Sequence, residues 1–255
     1  MNARTRGMLY LLLLLPLPVL AASVKKAPSV EFYAIAWADV DASGTAHVDQ
    51  IDEVTKLEDV PGLAPAVVRI KELLKQRLET WQFVPATREG IAVASRTCVY
   101  VRLEGADDGK GGLGMRILSA STGPRADYLV PHYPPDAMRE GTEGLILLVV
   151  EYDEAGRVTS VKAEQSKTIW NGKLRDRGSA ALKGAAIGTA WLWTFQNERV
   201  AGEPKSGSVR VPVQFCMSSE CVKVRWEQPG MPDNGEFAAI NPAVKLRSAV
   251  AGTAL

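Results

Sequence analysis

A run of Leu, Ile and Val at residues 145–150, extended by Glu151 and Tyr152, is followed by the turn residues Asp153, Glu154, Ala155 and Gly156 and by a second apolar stretch at 158–163. That order predicts a β-hairpin. Beyond it the apolar period changes. Leu182, Ala185, Ala186, Ala190 and Trp193 recur at helical spacing within 174–193, and then Val209, Val211, Val213 and Phe215 alternate with Arg210, Pro212 and Gln214 as a last strand. A hairpin, a crossover helix and a returning strand pack as a three-stranded antiparallel sheet covered on one face by the helix. Ahead of the hairpin, Tyr133, Pro134, Pro135, Asp136, Ala137 and Met138 predict a short helix opened by proline at its first turn. The Gly184 to Gly188 spacing is read as close packing of the long helix on its sheet.

The N-terminal half repeats this pattern when the sequence is compared with itself at an offset of 112 residues. Asp41 falls on Asp153 and Gly44 on Gly156. Trp81 falls on Trp193, Phe83 on Phe195, Gly90 on Gly202, and Val99 and Val101 on Val211 and Val213. These are turn and core positions. Val67, Ile70, Leu74, Leu78 and Trp81 give residues 64–81 an apolar helical face, with Arg69, Lys71, Glu72 and Gln76 elsewhere. The expected class is α+β: two units, each a three-stranded antiparallel sheet under a long helix, at 30–104 and 131–216. Residues 105–130 read as a Gly-rich linker and 217–255 as a polar tail with a strand at 222–226.

Residues 1–22 are expected to lie outside the fold. Arg4 and Arg6 precede an apolar run from Met8 to Leu20 that ends in Ala21, Ala22 and Ser23, the pattern of an export signal. At about 1.5 Å per residue the run reaches roughly 22 Å as a helix, against about 30 Å of bilayer hydrocarbon. Pro16 and Pro18 interrupt it. Cleavage near Ala21 and a periplasmic mature chain are expected, the alternative being a short anchor in the inner membrane. Three cysteines suit an oxidising compartment. Cys216 and Cys221 are close enough for a turn to close them into a disulfide. A metal site is the rival, but neither His47 nor His132 stands at ligand spacing from the pair. No metal and no cofactor is expected. Cys98 reads as a half-buried strand thiol.

Thirty Lys and Arg against 29 Asp and Glu leave a net charge of +1, which supplies no bulk field for nucleic acid. HExxH, GxSxG, P-loop and CxxC motifs are absent, and the acidic cluster Asp49, Asp52 and Glu53 reads as a solvated face. The chain reads as non-enzymatic.

The ordered set Tyr133 and Pro134, Ala137, Glu143 and Gly144, Asp153 with Gly156, Ser166, the Ala-rich helix, Trp193 to Phe195, Gly202, and Val211 to Phe215 resembles the C-terminal domain of TonB-type energy transducers over 132–215. The resemblance implies a periplasmic domain that binds a protein partner, in true transducers a short motif of an outer-membrane transporter, by strand addition to the last strand. The site it implies here is the edge formed by Ser208, Arg210, Pro212 and Gln214, with His132, Tyr133 and Pro134 near one end. Pro212 lacks an N–H and suits an edge strand, while Arg210 is expected to pair with an acidic residue of the partner. His132 stands where such domains often carry Gln.

The first unit lacks the Tyr-Pro segment. The apolar run at 8–20 has no His and no charged residue, and a segment of eight or nine residues at about 3.5 Å each spans only about 30 Å, too short to cross the periplasm. The expectation is therefore a TonB-like transport component that recognises partners. Inner-membrane motor subunits would be partners only if the N-terminus is retained. The alternative is a structural envelope scaffold.

Overall fold

The structure, a computed structural model, describes residues 29–55, 57–58, 60–107, 113–170, 173–175, 179–217, 238–247 and 250–255. The expected export segment, Cys221 and the strand expected at 222–226 lie outside the described residues. The first half contains β1 (Ser29–Val40), β2 (Ala46–His47), β3 (Ile51–Val54), α1 (Ala64–Glu79), β4 (Phe83–Val84), β5 (Thr87–Arg88), β6 (Ile91–Ala92), β7 (Ser95–Asp107), β8 (Leu113–Gly123) and β9 (Arg125–Asp127). The second contains α2 (Pro135–Arg139), β10 (Glu143–Tyr152), β11 (Val158–Trp170), β12 (Lys173–Arg175), α3 (Ala180–Ala190), β13 (Thr194–Gln196), β14 (Arg199–Val200), β15 (Glu203–Pro204) and β16 (Gly207–Phe215). Two short strands, β17 (Ala238–Ala239) and β18 (Lys245–Leu246), follow.

Period-two burial builds both sheets. Along β1, Phe32, Ala34, Ala36, Ala38 and Val40 are buried, and they pack with Val99, Val101 and Leu103 of β7 beneath Val67, Ile70, Leu74 and Leu78 of α1. In the second half Ile146, Leu148, Val150 and Tyr152 of β10 join Val209, Val211, Val213 and Phe215 of β16 under Leu182, Ala186 and Ala190 of α3. The predicted apolar face of α1 and its Trp81 are buried as the spacing requires. Helix α3 starts later than expected: Ser179 caps it by accepting from the Leu182 amide, and 173–175 is a strand on the end of β11. Gly184 and Gly188 do not make the close contact expected of them, since a Cβ at either would meet nothing within 4 Å. The near approach is at Gly144, where a Cβ would meet the Leu182 side chain at 2.7 Å.

The turns of the two halves share their chemistry at positions 112 apart. The Asp41 carboxylate accepts from the amides of Ser43 and Thr45, and that of Asp153 from the amides of Ala155 and Arg157. Gly44 and Gly156 follow at positive φ, and their carbonyls accept from Phe83 and Phe195 at 2.9 and 2.8 Å. The later hairpins turn on Glu89 with Gly90 and on Ala201 with Gly202, each with φ > 0 at both central residues, the arrangement that matches strand twist.

The expectation of two bare three-stranded sheets is corrected. Among the described residues the two large sheets have seven and five strands, the second ordered β12-β11-β10-β16-β17, beside three two-stranded pairs. Added pairings account for the difference, β12 and β17 in the second sheet among them. Residues 113–123, expected as linker, are strand β8 along the whole outer side of β7 from Cys98 to Asp107. The β14–β15 hairpin of the second half adds to the end of β7, Arg199 opposite Arg96 and Val200 opposite Ser95. The described part of the tail is folded: Val244 and Val250 enter the first core, β18 pairs with β4, and the amides of Gly252 and Leu255 donate to Ile117 and Met115 of β8.

Further side-chain contacts tie β3 to β9 and the two halves to each other. Asp52 and Glu53, expected to be solvated, hold Arg125 at 3.0 and 3.4 Å. Glu198 is 2% exposed, and its carboxylate accepts from the Thr97 hydroxyl at 2.6 Å and the Ala243 amide at 2.8 Å. One side chain thereby gathers β7, the second unit and the tail. Burial pushes the Glu198 carboxyl above its ordinary value, against the lowering by Thr97 and Ala243. A raised carboxyl binds more protons folded than unfolded, so this group's contribution to stability is present at low pH and is lost as pH climbs from about 4.5 through the raised value. Glu198→Gln should remove that slope from a series of denaturant titrations between pH 4 and 8; an unchanged profile would show that Glu198 does not set it.

Candidate functional site

Strand β16 carries the residues expected to receive a partner. It pairs with β10 along its full length, Gly207 opposite Tyr152 through Phe215 opposite Gly144. The Ser208 carbonyl faces the other way and accepts from the Ile240 amide at 2.9 Å. Because backbone groups alternate along a strand, Arg210, Pro212 and Gln214 turn their backbone to the same outer side. Pro212 therefore stands where its missing N–H breaks no bond to β10. This outer side is not open throughout: β17 occupies it, Ala238 opposite Arg210 and Ala239 opposite Val209.

The structure brings Tyr133 to the far end of β16. Its ring meets that of Phe215 edge-on with centroids 5.5 Å apart, and its hydroxyl donates to the Thr142 carbonyl at 2.7 Å. Proline at 134 and 135 opens α2 and fixes this approach. His132 is exposed beside it, whereas Ser208 lies at the opposite end of the strand. Arg210 is not free for a partner as expected. Its guanidinium forms a two-pronged pair with Glu164 of β11, at 2.8 and 3.1 Å, crossing β10 and holding the Glu164 carboxyl below its ordinary value. Cys216, just past β16, is disulfide-bonded, and Cys98 is free and buried, its thiol pushed up to about 12 by desolvation.

Sequence reading missed Ile240, Glu164 and Glu198. Their partners stand 32, 46 and about 100 residues away, and nothing local marks them. Among the described residues no helix is long and apolar enough to cross a membrane.

The family described as Gram-negative bacterial TonB protein C-terminal matches residues 130–217. This stretch, hereafter the TonB-type domain, is similar to the C-terminal domain of TonB. The match begins just before His132 and ends just after Cys216, so it takes in α2, β10 to β16 and the Tyr133–Phe215 contact. Relatives of the TonB-type domain include Protein TonB of Xanthomonas campestris pv. campestris strain B100, 39% identical over 88 residues, which cover 34% of this chain and 35% of that protein. Protein tonB2 of Pseudomonas aeruginosa is 31% identical over 93 residues, 35% of this chain and 31% of its own length. The chain spans about a third of the length of the curated relatives it matches. No solved structure matches it significantly.

Proposed function

We propose that this chain is a periplasmic TonB-like protein that binds partner proteins in TonB-dependent transport across the outer membrane, with the TonB-type domain as its recognition unit. The observation that carries the reading is the strand edge at β16, whose outer side presents the backbone of Ser208, Arg210, Pro212 and Gln214 and ends beside His132, Tyr133 and Pro134. An extended transporter segment adds there by backbone hydrogen bonds. Because Ala238 and Ala239 already pair with Arg210 and Val209, the incoming strand displaces β17 before it can run the length of the edge. The bound and clasped states compete for the same carbonyls.

Residues 30–104 are proposed to be a diverged copy of the same unit. Support comes from the paired Asp and Gly turns and the paired hairpins, 112 residues apart. The copy has β8 and the tail along the edge that corresponds to the binding edge, which suits a scaffold and not a second receptor for the same segment.

The test is amide exchange of the full chain with and without a transporter-motif peptide, alongside capture from envelope extract. Protection spreading along 208–215 on peptide addition is the expected result. Ile240→Pro removes the amide that holds β17 on Ser208 and should tighten peptide binding about five-fold, the worth of about 1 kcal/mol for one hydrogen bond. If 208–215 is fully protected without peptide, unaltered by Ile240→Pro, and no transporter is captured, the chain is a closed scaffold and the proposal fails.

A further inference from the structure

Each sheet has edges, and an uncovered edge is a row of unmet donors and acceptors. Among the described residues, β8 carries the amides of Gly252 and Leu255 on its outer side, and β16 carries β17. Strand β11 differs. It pairs with β10 on one side, and on the other with β12 only at Thr168, Ile169 and Trp170. Over residues 158–166 no backbone hydrogen bond to any other described strand reaches its outer side. By the alternation set at Ser208, Thr159, Val161, Ala163 and Ser166 turn their N–H and C=O outward.

Three further observations bear on what covers this edge. The strand already accepts β12 in antiparallel register at one end, so its geometry takes an added strand. A cavity of about 360 Å3, lined by Glu164, Gln165, Ser166 and Lys167, opens along the uncovered part. The Ser166 Oγ is buried there and has no hydrogen-bond partner. Charge then selects the occupant. Glu164 is neutralised by Arg210, and Arg157 by Asp153 at 2.8 Å. Lys162, exposed at the midpoint of 158–166, has no ion pair among the described residues. A second copy of this chain pairing antiparallel about that midpoint would set Lys162 against itself, and like charges directly opposite are destabilising. An acidic residue opposite Lys162 is favoured instead.

We propose that the outer edge of β11 at 158–166 is a strand-addition site for an extended acidic segment of another protein. It is separate from the β16 edge and lies on the opposite side of β10, so both can be filled at once. Backbone bonds from Val161 and Ala163 supply affinity, and Lys162 selects an acidic residue.

The experiment uses the full chain and two capped heptapeptides of alternating Thr and Val, one with Asp and one with Lys at the centre. Amide exchange is followed at 158–166 and at 208–215 together. The Asp peptide should slow exchange at 158–166 and bind about three-fold tighter than the Lys peptide, as expected of one exposed ion pair. Lys162→Glu should reverse that preference. Val161→Pro removes an outward N–H and also trims a side chain packed against the second core, so it should lower the melting temperature without abolishing cooperative unfolding, and lose binding of both peptides. No change at 158–166 with either peptide, or an order of affinity that Lys162→Glu leaves unaltered, overturns the proposal. Protection at 208–215 alone overturns it too, while leaving the β16 reading in place.

Discussion

Trp193→Ala should lower the unfolding free energy by about 3–5 kcal/mol, the cost typical of emptying a buried indole site. Trp193 is 3% exposed and sits where α3 ends, its backbone amide donating to Ala190. Its ring meets Tyr128 edge-on at 4.9 Å, and its Nε1–H donates to the Leu129 carbonyl at 2.9 Å. Truncation therefore leaves both a cavity and a carbonyl without its donor. Trp81 occupies the same place after α1 and is 6% exposed, with its amide on Leu78. Trp81→Ala should fall at the lower end of the same range. Denaturant midpoints at constant slope measure both. A loss under about 1 kcal/mol at either position would break the equivalence of the two anchors.

Gly156→Ala should cost about as much, about 4 kcal/mol, by another route. Gly156 has φ +76°, and a Cβ there would sit 1.8 Å from the Phe195 carbonyl oxygen. The obstacle is backbone held by its own hydrogen bond to Gly156, so no flexible side chain can give way. Gly44 repeats the arrangement, with φ +88° and the Phe83 oxygen at 2.2 Å. Gly202 separates the two contributions. Its φ is +85°, yet a Cβ there would meet nothing within 4 Å, so Gly202→Ala should cost only the left-handed conformation, about 1–2 kcal/mol. Equal losses at Gly156 and Gly202 would show that the close approach is not what fixes the turn.

The legible parts of this fold are those whose signal is local. Val209, Val211, Val213 and Phe215 alternate within nine residues, and Val67, Ile70, Leu74 and Leu78 recur every three or four, so the strand, the helix and their buried faces follow from spacing alone. Asp153 and Gly156 specify their turn within four residues. Residues 113–123 read as linker because Gly112, Gly114 and Gly123 outweigh an alternation that only β7 makes meaningful. The outer edge of β16 is half legible. Pro212 pointed to the outer side of β16, but nothing near it announces Ala238, and nothing near Arg210 announces Glu164. Glu198 sits in the polar stretch Gln196, Asn197, Glu198 and Arg199, the composition of an exposed turn; its burial is imposed by Thr97 and Ala243.

The placement of Val244 and Val250 in the first core has a kinetic consequence. The Thr122 hydroxyl donates to the Val244 carbonyl across 122 residues, and the Ile117 amide donates to Thr253. The first half therefore cannot complete its hydrophobic interior without side chains that lie far along the chain, at 244 and 250. Contacts of such long sequence separation are slow to form and leave apolar surface uncovered meanwhile. By contrast, the buried core of the TonB-type domain is drawn entirely from residues 137–215.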